Sequence, residues 1–89
     1  MNQPTETRMQ LNQSLLKNPA YNPNALLDIV IKKLGLKNDA ALSRMLQVAP
    51  PVISKTRSRA LVVGPNLAIR IMEATDITPS DLYRWMGVL

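Results

Sequence analysis

Residues 39–59 read DAALSRMLQVAPPVISKTRSR, and the fold turns on how this stretch divides. Asn38 stands directly before it and suits a helix N-cap. Asp39 is favourable in the first turn, where the backbone amides present partial positive charge. From there Leu42, Met45 and Leu46 recur at the three-and-four spacing of one helical face, which predicts a helix with those residues inward, ending near Gln47. Two prolines follow. Pro51 disfavours helical backbone at Pro50, so the next helix is predicted to begin with Pro51 as its first residue and to run to about Ser58. The stretch reads as two short helices joined by a tight turn.

The flanking sequence extends the pattern in both directions. Upstream, Leu27, Val30, Ile31 and Leu34 predict a helix over residues 24–34, closed by Gly35 as C-terminal cap. Asn18, Pro19, Asn22 and Pro23 form a turn-rich linker, which places a domain boundary after residue 23. Residues 1–20 are rich in Asn, Gln and Thr and read as a polar, flexible arm. Within it Thr5 to Lys17 has some helical character, with Met9, Leu15 and Leu16 as sparse apolar contacts. Downstream, Ala60 to Gly64 reads as a loop, because ALVV has no second alternating run to pair with as a strand. Pro65 opens a helix to about Thr75 that buries Leu67, Ala68, Ile71 and Met72. The last helix has the fullest start signal. Thr78 is its N-cap, Pro79 its first residue and Asp81 its capping-box partner, and Ile77 is placed to pack onto Leu82. Gly87 ends it. The expected fold is all-α, a compact bundle of about five short helices over residues 24–87, with residues 1–23 as arm and linker.

A chain of 89 residues holds one small domain and a tail, and buries only roughly 60% of its unfolded surface. Aromatic residues are limited to Tyr21, Tyr83 and Trp85, so aliphatic side chains and methionines must fill the core. Histidine and cysteine are absent, which excludes disulfides, thiol nucleophiles, zinc sites built on Cys or His, and His-dependent acid–base catalysis. Asp76 and Asp81 do not make a catalytic pair, since Asp81 has a capping role and no base or nucleophile accompanies it. No catalytic residue, cofactor or metal is expected, and the enzyme class falls away. No apolar run reaches the roughly 18–20 residues of a membrane span, and residues 1–20 lack the apolar stretch of a signal peptide. The expected setting is cytoplasmic, at the nucleoid.

The net charge of +5 is unevenly placed. Residues 1–39 carry +2 and residues 73–89 carry −2, whereas residues 40–72 hold Arg44, Lys55, Arg57, Arg59 and Arg70 with no acid. A one-sided positive field attracts polyanions through counterion release. The two-helix stretch sits inside this field. In a helix-turn-helix the first helix braces a second, which lies in the major groove of DNA. Bracing needs a small residue in the first helix, an apolar plug in the turn and an aliphatic residue in the second helix. Ser43, Val48 and Ile53 occupy those places. With Ile53 and, in part, Thr56 inward, Pro51, Ser54, Lys55 and Ser58 share the outward stripe by their spacing. Short side chains there let the backbone approach base edges. Lys55 can donate to guanine O6 or N7, and the serines suit either donor or acceptor edges. Arg57 and Arg59 flank this face and suit phosphates, as does Arg44. Asn38 and the helix start after it offer N–H groups to another phosphate.

Plainer readings stand beside these. Taken singly, Lys55 and Arg57 read equally as surface cations; what singles them out is their place beside Ser54 and Ser58. Arg44 and Arg70 read more readily as solvated, or as paired with Glu73 or Asp76. Met45, Met72 and Met86 read as core filler. Tyr83 and Trp85 read as core or, with Met86, Val88 and Leu89, as a dimer surface.

Residues 39–59, followed by PNLAIRIMEATDITPSDLYRWMG at 65–87, resemble the lambda-repressor-like (Cro/repressor, or XRE) helix-turn-helix family. The resemblance covers about residues 25–87 and depends on the pairing of VISK with the later LAIRIMEATDITPSDL. It implies a bacterial or phage-type transcriptional repressor that binds a palindromic operator as a homodimer. Residues 24–89 would form its DNA-binding domain, with the helix at 51–58 in the major groove. Two positions depart from the family. Gln47 stands where the family often has a turn glycine, a cost of about 1 kcal/mol if that residue is left-handed. Asp39 stands where the family often has a phosphate-touching glutamine; an acid there repels the backbone, which shifts the role to Asn38. The expected partner is double-stranded DNA, with no small-molecule ligand and no membrane. The alternatives are a protein-interaction module on the same fold, antirepressor or antitoxin-like, and a non-specific nucleoid-associated DNA binder. The lack of exposed aromatic platforms argues against single-stranded RNA.

Overall fold

The computed structural model describes residues 15–88. Among them the chain is all-helical, with helices α1 (Pro23–Leu34), α2 (Asp39–Leu46), α3 (Pro50–Arg57), α4 (Pro65–Thr75) and α5 (Pro79–Trp85). Leu15 to Lys17 are also helical; the rest of the expected Thr5–Lys17 segment lies outside the described residues. No helix among the described residues is long and apolar enough to cross a membrane.

Local chemistry sets the helix ends. Asn22 caps α1, its Oδ1 accepting from the Ala25 N–H at 3.1 Å, and Pro23 is the first residue. Two residues assigned to the linker are thus the start signal of α1. Gly35 follows in the left-handed conformation (φ 66°), and the Leu36 N–H returns to the Ile31 carbonyl at 2.9 Å. Asn38 caps α2 through the Ala41 N–H at 2.9 Å. Gln47 ends α2 at φ 56°, so the turn keeps its left-handed residue without a glycine. The start of α3 corrects the expectation by one residue, since Pro50, not Pro51, is the first helical position. Both prolines have φ fixed near the helical value, and their missing N–H groups fall in a first turn that has no intrahelical acceptor to offer. At α5 the Thr78–Asp81 capping box forms in both directions.

The core is drawn from every helix: Leu26, Leu27 and Val30 of α1, Leu42 and Leu46 of α2, Ile53 of α3, Leu67 and Ile71 of α4, and Leu82 of α5, with Met86 after it. Ile77, Trp85 and Val88 pack against it half-buried. Burial of α1 is rotated toward Leu26, leaving Ile31 and Leu34 at the rim. Met45 is a second correction. It stays 50% exposed, because Leu42 and Leu46, four apart, already span the inward side of this two-turn helix. The third concerns Tyr21, which belongs to the core rather than to a linker. It is 2% exposed, and its hydroxyl accepts from the Val63 N–H at 3.2 Å. Next to it the Asn22 N–H donates to the Met86 carbonyl at 2.7 Å. A Cβ at Gly87 would stand 2.5 Å from the Ala20 carbonyl oxygen, so this closure needs the glycine.

Candidate nucleic-acid interface

Helix α3 rests on α1 and α2. Ile53 (1% exposed) and Thr56 (0%) form its inner side, and on the neighbouring α2 Ser43 (2%) is buried as well. The two buried hydroxyls donate within their own helices, Thr56 to the Val52 carbonyl at 2.7 Å and Ser43 to the Ala40 carbonyl at 2.9 Å. Neither brings an unsatisfied polar atom into the packing. Val48 and Val52 complete the join half-buried.

The outer side presents Pro51, Ser54, Lys55 and Ser58 together, all exposed. Ser54 and Ser58 donate to the carbonyls three residues back, at 3.2 and 3.1 Å. Their oxygens keep accepting capacity outward, and rotation turns either hydroxyl into a donor. Lys55 has no hydrogen-bond or ion-pair partner among the described residues. An open hollow of about 350 Å³ separates the first turns of α2 and α3, lined by Asp39, Ala40, Pro50, Pro51 and Ser54. The start of α2 therefore borders the outer stripe.

The expected phosphate residues differ sharply in surroundings. Arg44 is exposed on α2 with no partner among the described residues. Asn38 commits its side-chain oxygen to the α2 cap, which leaves the side-chain NH2 as the donor. Arg59 lies beyond the end of α3 at φ 68°. It donates to the carbonyls of Tyr21 (3.3 Å) and Leu16 (2.9 Å), with its guanidinium 5.3 Å from the Tyr21 ring centroid. Among the described residues no carboxylate neutralises it, so its charge still adds to the field at this end of α3. Arg70 reaches Gln47 at 3.3 Å rather than Glu73 or Asp76.

Arg57 is the most heavily engaged of this set. Its Nε and Nη2 grip both carboxylate oxygens of Asp39 at 2.7 and 2.8 Å, Nη2 also reaches Asp28 at 2.9 Å, and Nη1 reaches the Asn24 side chain at 2.9 Å. A guanidinium has five N–H donors, and these four bonds use four of them. The Asp39 hydrogen bond and, after it, the Asp28 bond hold the guanidinium above its ordinary pKa, against the opposing effect of burial. Arg57 thus joins α1, α2 and α3, with one Nη1 N–H left over. Asn24 and Asp28, four apart on one stripe of α1, were not among the expected functional residues. The available signal was that Asp28 and Asp39 are, with Glu6, the acids of the first 72 residues.

Compared with protein-family models, characterised proteins and solved structures, the chain matches none.

Proposed function

We propose that the chain is a sequence-specific, DNA-binding transcriptional regulator of the lambda-repressor-like kind, a repressor that binds a palindromic operator as a homodimer. In this reading α2 and α3 are a helix-turn-helix and α3 enters the major groove. The observation that carries it is the outer side of α3. Four side chains suited to base edges, Pro51, Ser54, Lys55 and Ser58, are exposed together on a helix whose inner side is anchored by Ile53 and Thr56. A rigidly held helix with short and cationic outward groups is what direct readout requires. Arg44, Arg59 and the Asn38 amide at the margins supply phosphate contacts, which fix register without reading sequence. Repression follows by occlusion, two α3 helices occupying successive major grooves about 34 Å apart.

Selection of bound sequences from a random duplex pool tests this, with the winner titrated at two salt concentrations. The expected result is a palindromic winner bound at least about a thousandfold more tightly than random DNA. Absence of an enriched motif, with weak binding that vanishes as salt rises, would leave only a basic field.

A further inference from the structure

We infer that Arg57 is a positioning residue for DNA binding, masking the Asp39 carboxylate at the edge of the DNA face without touching DNA itself. The inference rests on the DNA-binding reading above. Asp39 lines the same hollow as Pro51 and Ser54, so this acidic residue borders the stripe assigned to base edges. A bare carboxylate there would face the phosphates within a Debye length, where like charges repel with little screening. Arg57 removes that repulsion with a two-point grip, Nε to Oδ2 and Nη2 to Oδ1, which engages both Asp39 oxygens. The Arg57 side chain is 24% exposed and that of Asp39 is 42% exposed, so the arginine is proportionally the more covered of the two. Asp28 and Asn24 hold it from α1, fixing the plane of the fork. These bonds leave one Nη1 N–H for a phosphate, so any closer engagement of Arg57 would have to displace them. A lysine, one point charge on a flexible stem, reproduces neither the grip nor the ties to α1.

The test uses the full chain and the selected duplex. It compares wild type, Arg57→Ala and two double variants of wild-type net charge, Arg57→Ala/Asp39→Asn and Arg57→Ala/Asp28→Asn, each first shown to be folded by thermal unfolding. Arg57→Ala is expected to weaken binding roughly tenfold through the unmasked charge. Asp39→Asn in that background restores affinity to within about threefold, whereas Asp28→Asn, outside the hollow, does not. The slope of log affinity against log salt stays within a few tenths of wild type, where a lost phosphate contact removes about 0.9. A slope lower by that amount without rescue by Asp39→Asn would make Arg57 a phosphate ligand and overturn the inference. Equal rescue by both doubles would reduce the effect to net charge, overturning it too. Asp39→Asn alone guards against an Arg57→Ala protein that does not fold. A masked carboxylate predicts less than about a threefold change, and a tenfold gain would mean that it was never masked. If wild type selects no sequence, the function reading falls and the inference with it. Failure of the rescue in a protein that does select one overturns the inference alone.

Discussion

The inner and outer sides of α3 share a backbone and obey different constraints. On the inner side Ile53 is 1% exposed and Thr56 is 0% exposed, with its hydroxyl returned to the Val52 carbonyl. On the outer side Pro51, Ser54, Lys55 and Ser58 face solvent. The inner residues are fixed by volume and by the need to satisfy every buried polar atom. Folding places almost no demand on the outer ones, so their chemistry is free to answer to a partner. The largest expected effect is therefore on the inner side. Ile53→Ala should cost about 2–5 kcal/mol, each kcal/mol lowering Tm by roughly 4–8 °C for a domain of this size. Denaturant unfolding measures this, and the base preference of the molecules that remain folded should not change. A shifted preference at small stability cost would show that the two sides are not separable.

Tyr21 sharpens the same contrast from outside α3, because it too is a core residue whose one polar atom is matched. Tyr21→Phe leaves the buried Val63 N–H without its acceptor and should cost about 1–2 kcal/mol. Burial pushes the Tyr21 phenol above its ordinary 10.0, the Val63 bond and the Arg59 charge opposing. A group whose folded pKa is raised contributes stability that is fully present below its unfolded pKa and is lost as pH rises through the folded value. The advantage of wild type over Tyr21→Phe should thus hold at neutral pH and shrink above about pH 10, where the unfolded chain ionises first. Unfolding both proteins at pH 7 and pH 10.5 checks it. A gap that widens with pH would reverse the sign of the coupling.

Features written in short windows of sequence were legible. The Thr78–Pro79–Asp81 start, the Asn38 cap and the Gly35 stop each involve residues within four positions, and each is formed. The exposure of Pro51, Ser54, Lys55 and Ser58 followed from helical spacing once Ile53 was placed inward. Contacts across the chain were not legible. Arg57 meets Asp39, Asp28 and Asn24 across 18, 29 and 33 residues, and no local pattern says which acid a given arginine meets. Tyr21 was hidden for the opposite reason. The prolines and asparagines around it signal turns correctly, but a turn does not state what lies beneath it, and here that is the α3–α4 loop and the end of α5. Met45 shows the limit of periodicity itself. A helix of two turns has one inward ridge, and residues three and four from its centre do not all fit beneath it.

Gln47 marks the boundary between the two kinds of site, being exposed yet conformationally constrained at φ 56°. Gln47→Gly should stabilise by about 0.5–1 kcal/mol, because glycine adopts this conformation without the steric cost of a Cβ. The lost 3.3 Å bond from Arg70 is exposed and subtracts little. A destabilised Gln47→Gly would mean that this side chain holds the turn.

Lys55 is the smallest case for stability and the most informative for function. It is exposed and without a partner among the described residues, so Lys55→Ala should leave unfolding within about 0.5 kcal/mol of wild type. Against the selected duplex the same substitution should lose about 1–3 kcal/mol of discrimination at one base pair per half-site, leaving preferences elsewhere intact. Titrating the variant against duplexes altered one position at a time separates this from a phosphate role, which would weaken every duplex alike and make the salt dependence shallower. Uniform weakening would move Lys55 from the base-reading stripe to its rim. Unchanged affinity throughout would leave Ser54 and Ser58 as the readers, whose hydroxyls already turn toward their own helix carbonyls and discriminate less sharply. A stability loss beyond about 1 kcal/mol would be the more damaging result. It would show that the outer side of α3 has folding work of its own, and that the chemistry of its exposed residues no longer points to a partner.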